Sequence, residues 1–227
     1  MEEFEEDLAE IKTYQPNARR IFWTGANPFA MSYENLRLRA WTVRDYLIKC
    51  QTIAMFSSIR DIKSKEVWQL RKLRAAGING LSIGTESGDD QTLLLANKGY
   101  NSDDIVEQCQ KLDEAGIEYY FVYMTGLAGK GNGYRNAVNS ARLFSQLNPY
   151  FISVDSLTLF PDTELYEMAK RGEFVPAGEK ERIEELQIFI QNLQIRTHLL
   201  ANSSSNFYPM LRHTYITNLI HSSVDPK

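Results

Sequence analysis

The stretch INGLSIGTESGDDQTLLL, residues 78–95, places an acid and a hydroxyl, Glu86 and Ser87, where an apolar run gives way to a helix-like one. A carboxylate can accept from two hydroxyls at once and a serine can both donate and accept, so the pair suits a polar ligand. Ser87 and Asp89 suit equally well the capping of the helix that follows.

Other chemistry-bearing residues exclude more than they support. GLAGKGNG, Gly126–Gly133, resembles a phosphate loop in composition only. Gly126 and Gly131 have the Walker gap, but Asn132 and Gly133 follow in place of Lys and Ser/Thr, and the dinucleotide fingerprint lacks its third glycine. A flexible loop is the expected role. The histidines, His198, His213 and His221, show no two-histidine metal spacing, and no serine lies in a Gly-x-Ser-x-Gly elbow. Cys50 and Cys109 have no third or fourth partner, so no protein metal ligand is assigned and both are expected as buried or half-buried thiols.

The elements that must position these residues alternate along the chain. FEEDLAEIKTY reads as helix and RRIFWTG as strand. The same order recurs in YENLRLRAWTVRDYLIKC and TIAMFSS, SKEVWQLRKLRAAG and INGLSIGT, DDIVEQCQKLDEAG and IEYYFVYMTG, then GYRNAVNSARLFSQLNP and YFISVDSLTLF. LRAAGI and LDEAGI end two of these helices on glycines, Gly77 and Gly116, where a C-cap puts φ above zero. Strands joined by crossover helices predict an α/β fold with parallel strands, whose ligands bind at the carboxyl ends of the strands. Tyr119, Tyr120 and Tyr123 read as core of one such strand.

With 227 residues, 43% of them hydrophobic, the chain can bury a full-sized core. We divide it into a barrel core over residues 1–175 and a C-terminal helical region and tail over 176–227. Within the latter, GEKERIEELQIFIQNLQIRTHLL places Ile183, Leu186, Ile190, Leu193 and Ile195 in one helical stripe. A net charge of −4 gives no electrostatic reason to expect nucleic acid. No apolar run is long enough for a membrane span and the N-terminus is acidic, which predicts a cytoplasmic protein without membrane contact.

Taken together, LSIGTESGDDQTLLLANKG, YMTGLAG and LTLFPDTELYEMAKRGEF resemble the radical S-adenosylmethionine superfamily, nearest its oxygen-independent coproporphyrinogen oxidase group. The resemblance covers nearly the whole chain and implies an open, partial (β/α) TIM-like barrel with a C-terminal helical extension. It also implies binding residues for S-adenosylmethionine. Glu86 and Ser87 match the turn that faces the ribose and methionine parts, and Lys98 matches a cation paired with the methionine carboxylate. Thr125 and Gly126 match the strand edge beside the adenine, and Leu159, Phe160 and Pro161 match the backbone segment that recognises it. In WTGANPF, Gly25 fits a Gly-Gly-Glu-like motif for the methionine amino group, but Asn27 stands where the acid belongs, so a neutral hydrogen bond replaces a charge-assisted one.

Such enzymes hold a [4Fe–4S] cluster on a Cys-x-x-x-Cys-x-x-Cys loop. This sequence has no such loop. The expectation is a chain that begins just after it, inactive alone. The full-length protein would generate a 5′-deoxyadenosyl radical and abstract hydrogen from an organic small-molecule substrate of unknown identity. Its partner would be an electron donor such as flavodoxin or ferredoxin, and no catalytic residue is assigned. SSSNFYPM is expected to line the substrate mouth. The alternative is a cluster-free barrel that binds a nucleoside-like ligand or a protein partner. A third reading, a lyase or aldolase, needs a buried lysine or a carboxylate–metal pair at a strand end, and Lys63 and Lys130 read as loop residues.

Overall fold

A computed structural model describes residues 1–201 and 211–216. Along the chain run α1 (Glu2–Tyr14), β1 (Arg20–Trp23), a short 3-10 turn (Pro28–Ala30), α2 (Tyr33–Tyr46), β2 (Thr52–Ser57), α3 (Ile59–Lys63), α4 (Val67–Ala75), β3 (Ile78–Glu86), α5 (Asp90–Leu95) and α6 (Ser102–Ala115). They continue as β4 (Glu118–Thr125), α7 (Gly133–Phe144), β5 (Phe151–Ser156), α8 (Glu164–Lys170), α9 (Glu179–Asn192), β6 (Thr197–Ala201) and β7 (Leu211–Ile216). The expected α/β alternation is present, with each of its five helix and strand pairs found.

The elements form two compact units, one of residues 1–85 and 107–120, the other of residues 86–106 and 121 onward. In the first, β1, β2 and β3 pair in parallel. Gly77 and Gly116 adopt φ values of +106° and +72°, the left-handed caps predicted for them, and each lets a helix stop directly before a strand. The core of this unit joins Leu36, Ala40 and Val43 of α2 to Met55 of β2, Leu70 and Leu73 of α4, and Leu81 and Ile83 of β3. Both cysteines lie buried here, as expected.

In the second unit β4, β5 and β6 pair in parallel, and β7 returns antiparallel along β6. Its core centres on aromatic rings. Tyr123 stacks on Phe189 with centroids 4.2 Å apart, and Phe144 meets Phe121 at 4.6 Å. Tyr123 is wholly buried, as a core tyrosine should be.

The C-terminal region differs from its expectation. The helix ends at Asn192, and Thr197–Ala201 is a strand. Its burial alternates strictly along THLLA, the period of two that a helix cannot satisfy. On α9 the buried residues are Glu185 and Phe189, four apart, while Ile183, Leu186 and Ile190 are half-buried. The SSSNFYPM segment lies outside the described residues. No described helix is long and apolar enough to cross a membrane.

Candidate functional site

β3 ends on Glu86 in a conformation that L-residues avoid, with φ +63°. A non-glycine residue there costs on the order of 1–2 kcal/mol. The strain turns its carboxylate toward Lys98, whose Nζ lies 3.7 Å from Oε1, while Oε2 is buried and hydrogen-bonds to none of the described residues. Burial raises the Glu86 pKa above the usual carboxylate value; Lys98 opposes that rise and Asp155 adds to it. A buried acceptor without a donor is costly, so this oxygen is suited to a ligand that brings one. Lys98 is held by a tight turn after α5, between Asn97 at φ +50° and Gly99 at φ +70°. Its ammonium also faces the Tyr100 ring at 5.9 Å.

Ser87, which the resemblance matches to the ligand turn, points its side chain inward. It is wholly buried, donates to Asn136 Oδ1 at 2.6 Å and accepts from the Asp89 amide at 2.9 Å. Its hydroxyl is spent on the protein. The following glycine explains why the turn packs so tightly against α7: a Cβ on Gly88 would lie 2.8 Å from Ser140 Cα. Asp89 caps α5 by accepting from the Thr92 amide and also binds Arg135 and Asn139. Burial pushes its carboxyl up, but the hydrogen bonds from Asn139 and Thr92 and the Arg135 charge bring it below the ordinary value.

From Ser87 the network continues inward. Asn136 Nδ2 donates to Glu185 Oε1 at 2.7 Å, Tyr123 Oη donates to the same oxygen at 2.9 Å, and the Gly126 amide donates to Oε2 at 2.8 Å. Glu185 is 1% exposed. Burial raises its pKa, and the bonds from Gly126, Asn136 and Tyr123 oppose that rise. One carboxylate on α9 therefore ties together the turns that follow β3 and β4. Glu185 is not among the residues that the sequence pattern singles out. Its only signal was its place four residues before Phe189 in a helix rich in acids.

Thr125 and Gly126 are buried and self-satisfied. Thr125 Oγ1 bonds the Asp155 carbonyl at 3.2 Å, and its own carbonyl accepts from the Leu157 amide. Gly126 gives its amide to Glu185 and its carbonyl to the Gly129 amide. These two residues can offer a ligand contact surface but no backbone donor. Leu159, by contrast, makes no hydrogen bond to a described residue, so its amide and carbonyl are open to a ligand edge. Phe160 is 64% exposed and Pro161 is exposed beside it. The glycine loop is tied down: Lys130 donates its amide to the Val175 carbonyl, and Glu181 accepts from the Gly131 amide.

In the first unit, Gly25 is exposed at φ +111°. Asn27 donates to Asp61 Oδ2 at 2.6 Å, and because a carboxylate only accepts, its own Oδ1 faces away, buried without a partner among the described residues. The buried lysine that an aldolase would need is neither Lys63 nor Lys130, both exposed, but Lys65, 2% exposed. Burial lowers its pKa to about 8, with Asp61 opposing. Its ammonium donates to the Phe29 carbonyl at 2.8 Å, the Asp61 carbonyl at 3.2 Å and Ser64 Oγ at 3.4 Å, which makes it a clamp between α3 and the 3-10 turn.

A sequence model described as the Radical SAM superfamily matches residues 1–143. The chain is 32% identical over 127 residues to a tRNA uridine(34) acetyltransferase of Methanocaldococcus infernus, covering 53% of this chain and 22% of that relative. It is 24% identical over 185 residues to the heme chaperone HemW of Bacillus subtilis, covering 81% of this chain and 48% of the other. The chain thus spans half or less of these relatives. Among solved structures, coproporphyrinogen III oxidase (HemN) from Escherichia coli, titled a radical SAM enzyme, superposes with a TM-score of 0.63 at 17% identity, over 84% of this chain and 44% of that one. An Elp3 of Methanocaldococcus infernus has the same score and identity over 82% of this chain and 48% of the other. These likenesses show the fold, an open partial (β/α) barrel.

Proposed function

The chain belongs to the radical S-adenosylmethionine superfamily, and on that premise we propose that the strand ends of its second unit bind S-adenosylmethionine. The observation that carries the proposal is Glu86, a strained and half-buried side chain at a strand end whose Oε2 is buried and has no donor among the described residues. Natural folds retain such strain where a site uses it. Glu86 Oε2 accepts from the ribose hydroxyls or the methionine ammonium, Lys98 receives the methionine carboxylate, and Leu159 offers its amide and carbonyl to the adenine edge. Thr125 and Gly126 form the wall beside that ring. Ser87 works from behind, holding the turn through Asn136.

When bound, S-adenosylmethionine supplies the adenosyl group used in the family's chemistry. The chain's own residues bind and orient it, and shield one carboxylate oxygen from water so that a ligand's donors are worth more to it. An iron–sulfur cluster on three cysteines does not fit this chain, whose two thiols, Cys50 and Cys109, are buried. The reaction and the organic substrate belong to the whole protein, which we place among the enzymes of the family.

The test is a titration of the chain with S-adenosylmethionine followed by amide NMR. Saturable shifts at Glu86, Lys98 and Leu159 support the reading. Saturation without movement at those three amides places the ligand elsewhere and refutes it.

A further inference from the structure

At the start of the first unit's strands, four cations far apart in sequence meet at one cavity. Arg19 leads into β1, Lys49 leads into β2, and Arg44 and Arg74 stand in the last turns of α2 and α4. With Ile48 and Gly77 among its other walls, they line a cavity of about 620 Å³, within the roughly 300–1,000 Å³ of small-molecule sites. No aspartate or glutamate lines it. None of the four makes an ion pair with a described residue.

Helix C-termini attract cations, which accounts for Arg44 and Arg74. It does not account for Arg19 and Lys49, which belong to the strand approaches. The contacts that the four do make leave most of their donors unused. Arg44 Nη1 donates to the Ala75 carbonyl at 3.0 Å, Arg74 Nε to the Gly116 carbonyl at 2.7 Å, and Lys49 Nζ to Asn17 Oδ1 at 2.7 Å. Each guanidinium has five N–H groups, so both arginines keep donors in reserve, and the Arg19 side chain has no hydrogen bond to a described residue. In a chain of net charge −4, four cations around one acid-free cavity make a local field of the opposite sign. Their mutual repulsion is relieved by an anion, and the planar forks of three arginines match phosphate oxygens in bidentate fashion. Ile48, 81% exposed, adds an apolar wall.

We propose that this cavity binds a small phosphate ester, its phosphate oxygens on Arg19, Arg44, Lys49 and Arg74 and its organic part against Ile48. The site is independent of the S-adenosylmethionine reading. No signal in the linear sequence announces it, because its cations are spread from residue 19 to residue 74.

The test titrates the full chain with inorganic pyrophosphate and, separately, with ADP, followed by amide NMR at low and physiological salt. Expected are saturable shifts at Lys49, Gln51 and Gly77, tighter binding of ADP than of pyrophosphate, and weakening as salt rises. Arg74→Gln should weaken binding about tenfold, the loss of one charge-assisted contact. Arg19→Gln should do the same, and with no side-chain bond to lose it cannot act through folding. Arg71→Gln, whose residue pairs with Glu114 outside the cavity, should leave binding unchanged. The proposal is overturned by an absence of shifts at millimolar probe, by shifts that survive both cavity variants, or by RNA saturating these amides where ADP and pyrophosphate do not.

Discussion

Glu185 lies 1% exposed in the second unit with three donors on its carboxylate, whereas Arg19 stands exposed in the first with no side-chain partner among the described residues. The two regions hold charge in opposite ways. A buried carboxylate must be satisfied by the fold, so it dictates the geometry of the turns around it. An exposed cation makes no such demand and keeps its donors for a ligand. Glu86 is intermediate, with one oxygen buried and lacking a donor among the described residues and the other near Lys98. That half-satisfied state is the basis for proposing Glu86 as a ligand contact, in contrast to the structural carboxylate of Glu185.

The contrast breaks most visibly at Glu185. Glu185→Ala takes the acceptor from the buried Gly126 amide and Tyr123 hydroxyl and leaves the Asn136 amide group only a 3.4 Å bond to Tyr123 Oη, and should cost about 3 kcal/mol or more in urea unfolding. Arg74→Gln and Arg19→Gln, measured alongside, should stay within about 0.5 kcal/mol of the wild type, as exposed substitutions do. If a cavity variant costs as much as Glu185→Ala, the cations are structural and the comparison fails.

Lys65 sharpens the comparison, because it is a cation held in the manner of Glu185. Its folded pKa of about 8 is below the ordinary 10.5, so between those values the unfolded chain binds the extra proton and stability rises with pH. The penalty is full below about pH 8 and gone above 10.5. The urea midpoint of the wild type should therefore climb across this window relative to Lys65→Met. Parallel profiles would mean that the ammonium is not desolvated.

A smaller effect of opposite sign is expected at Glu86. Glu86→Gly relieves the φ of +63° and should stabilise the chain by about 1 kcal/mol while weakening the proposed binding of S-adenosylmethionine. A destabilised Glu86→Gly would show that the carboxylate holds the fold. The smallest change is expected at the exposed Arg71–Glu114 pair, where Arg71→Ala should cost about 0.5 kcal/mol or less by thermal melting.

How much of this was legible in the sequence depended on how local each signal is. The five helix and strand pairs were, because apolar β-branched runs alternate with amphipathic ones and because Gly77 and Gly116 mark helix ends. β6 was not: IRTHLL continues an apolar stripe begun on α9, and only pairing with β5 makes it a strand. Glu86 was legible as an acid on a strand-to-helix turn. The inward direction of Ser87 was not, since Asn136, which fixes it, lies 49 residues away. Glu185 was hidden among Glu179, Glu181 and Glu184, and only the packing of α9 against α7 singles it out.

Calorimetric titration of S-adenosylmethionine into the wild-type chain and into Glu86→Gln tests the central claim most directly. The account predicts saturable binding to the wild type and a loss of about tenfold or more in the variant, with unchanged unfolding. Equal affinity in the two proteins, or no binding to the wild type, would contradict it.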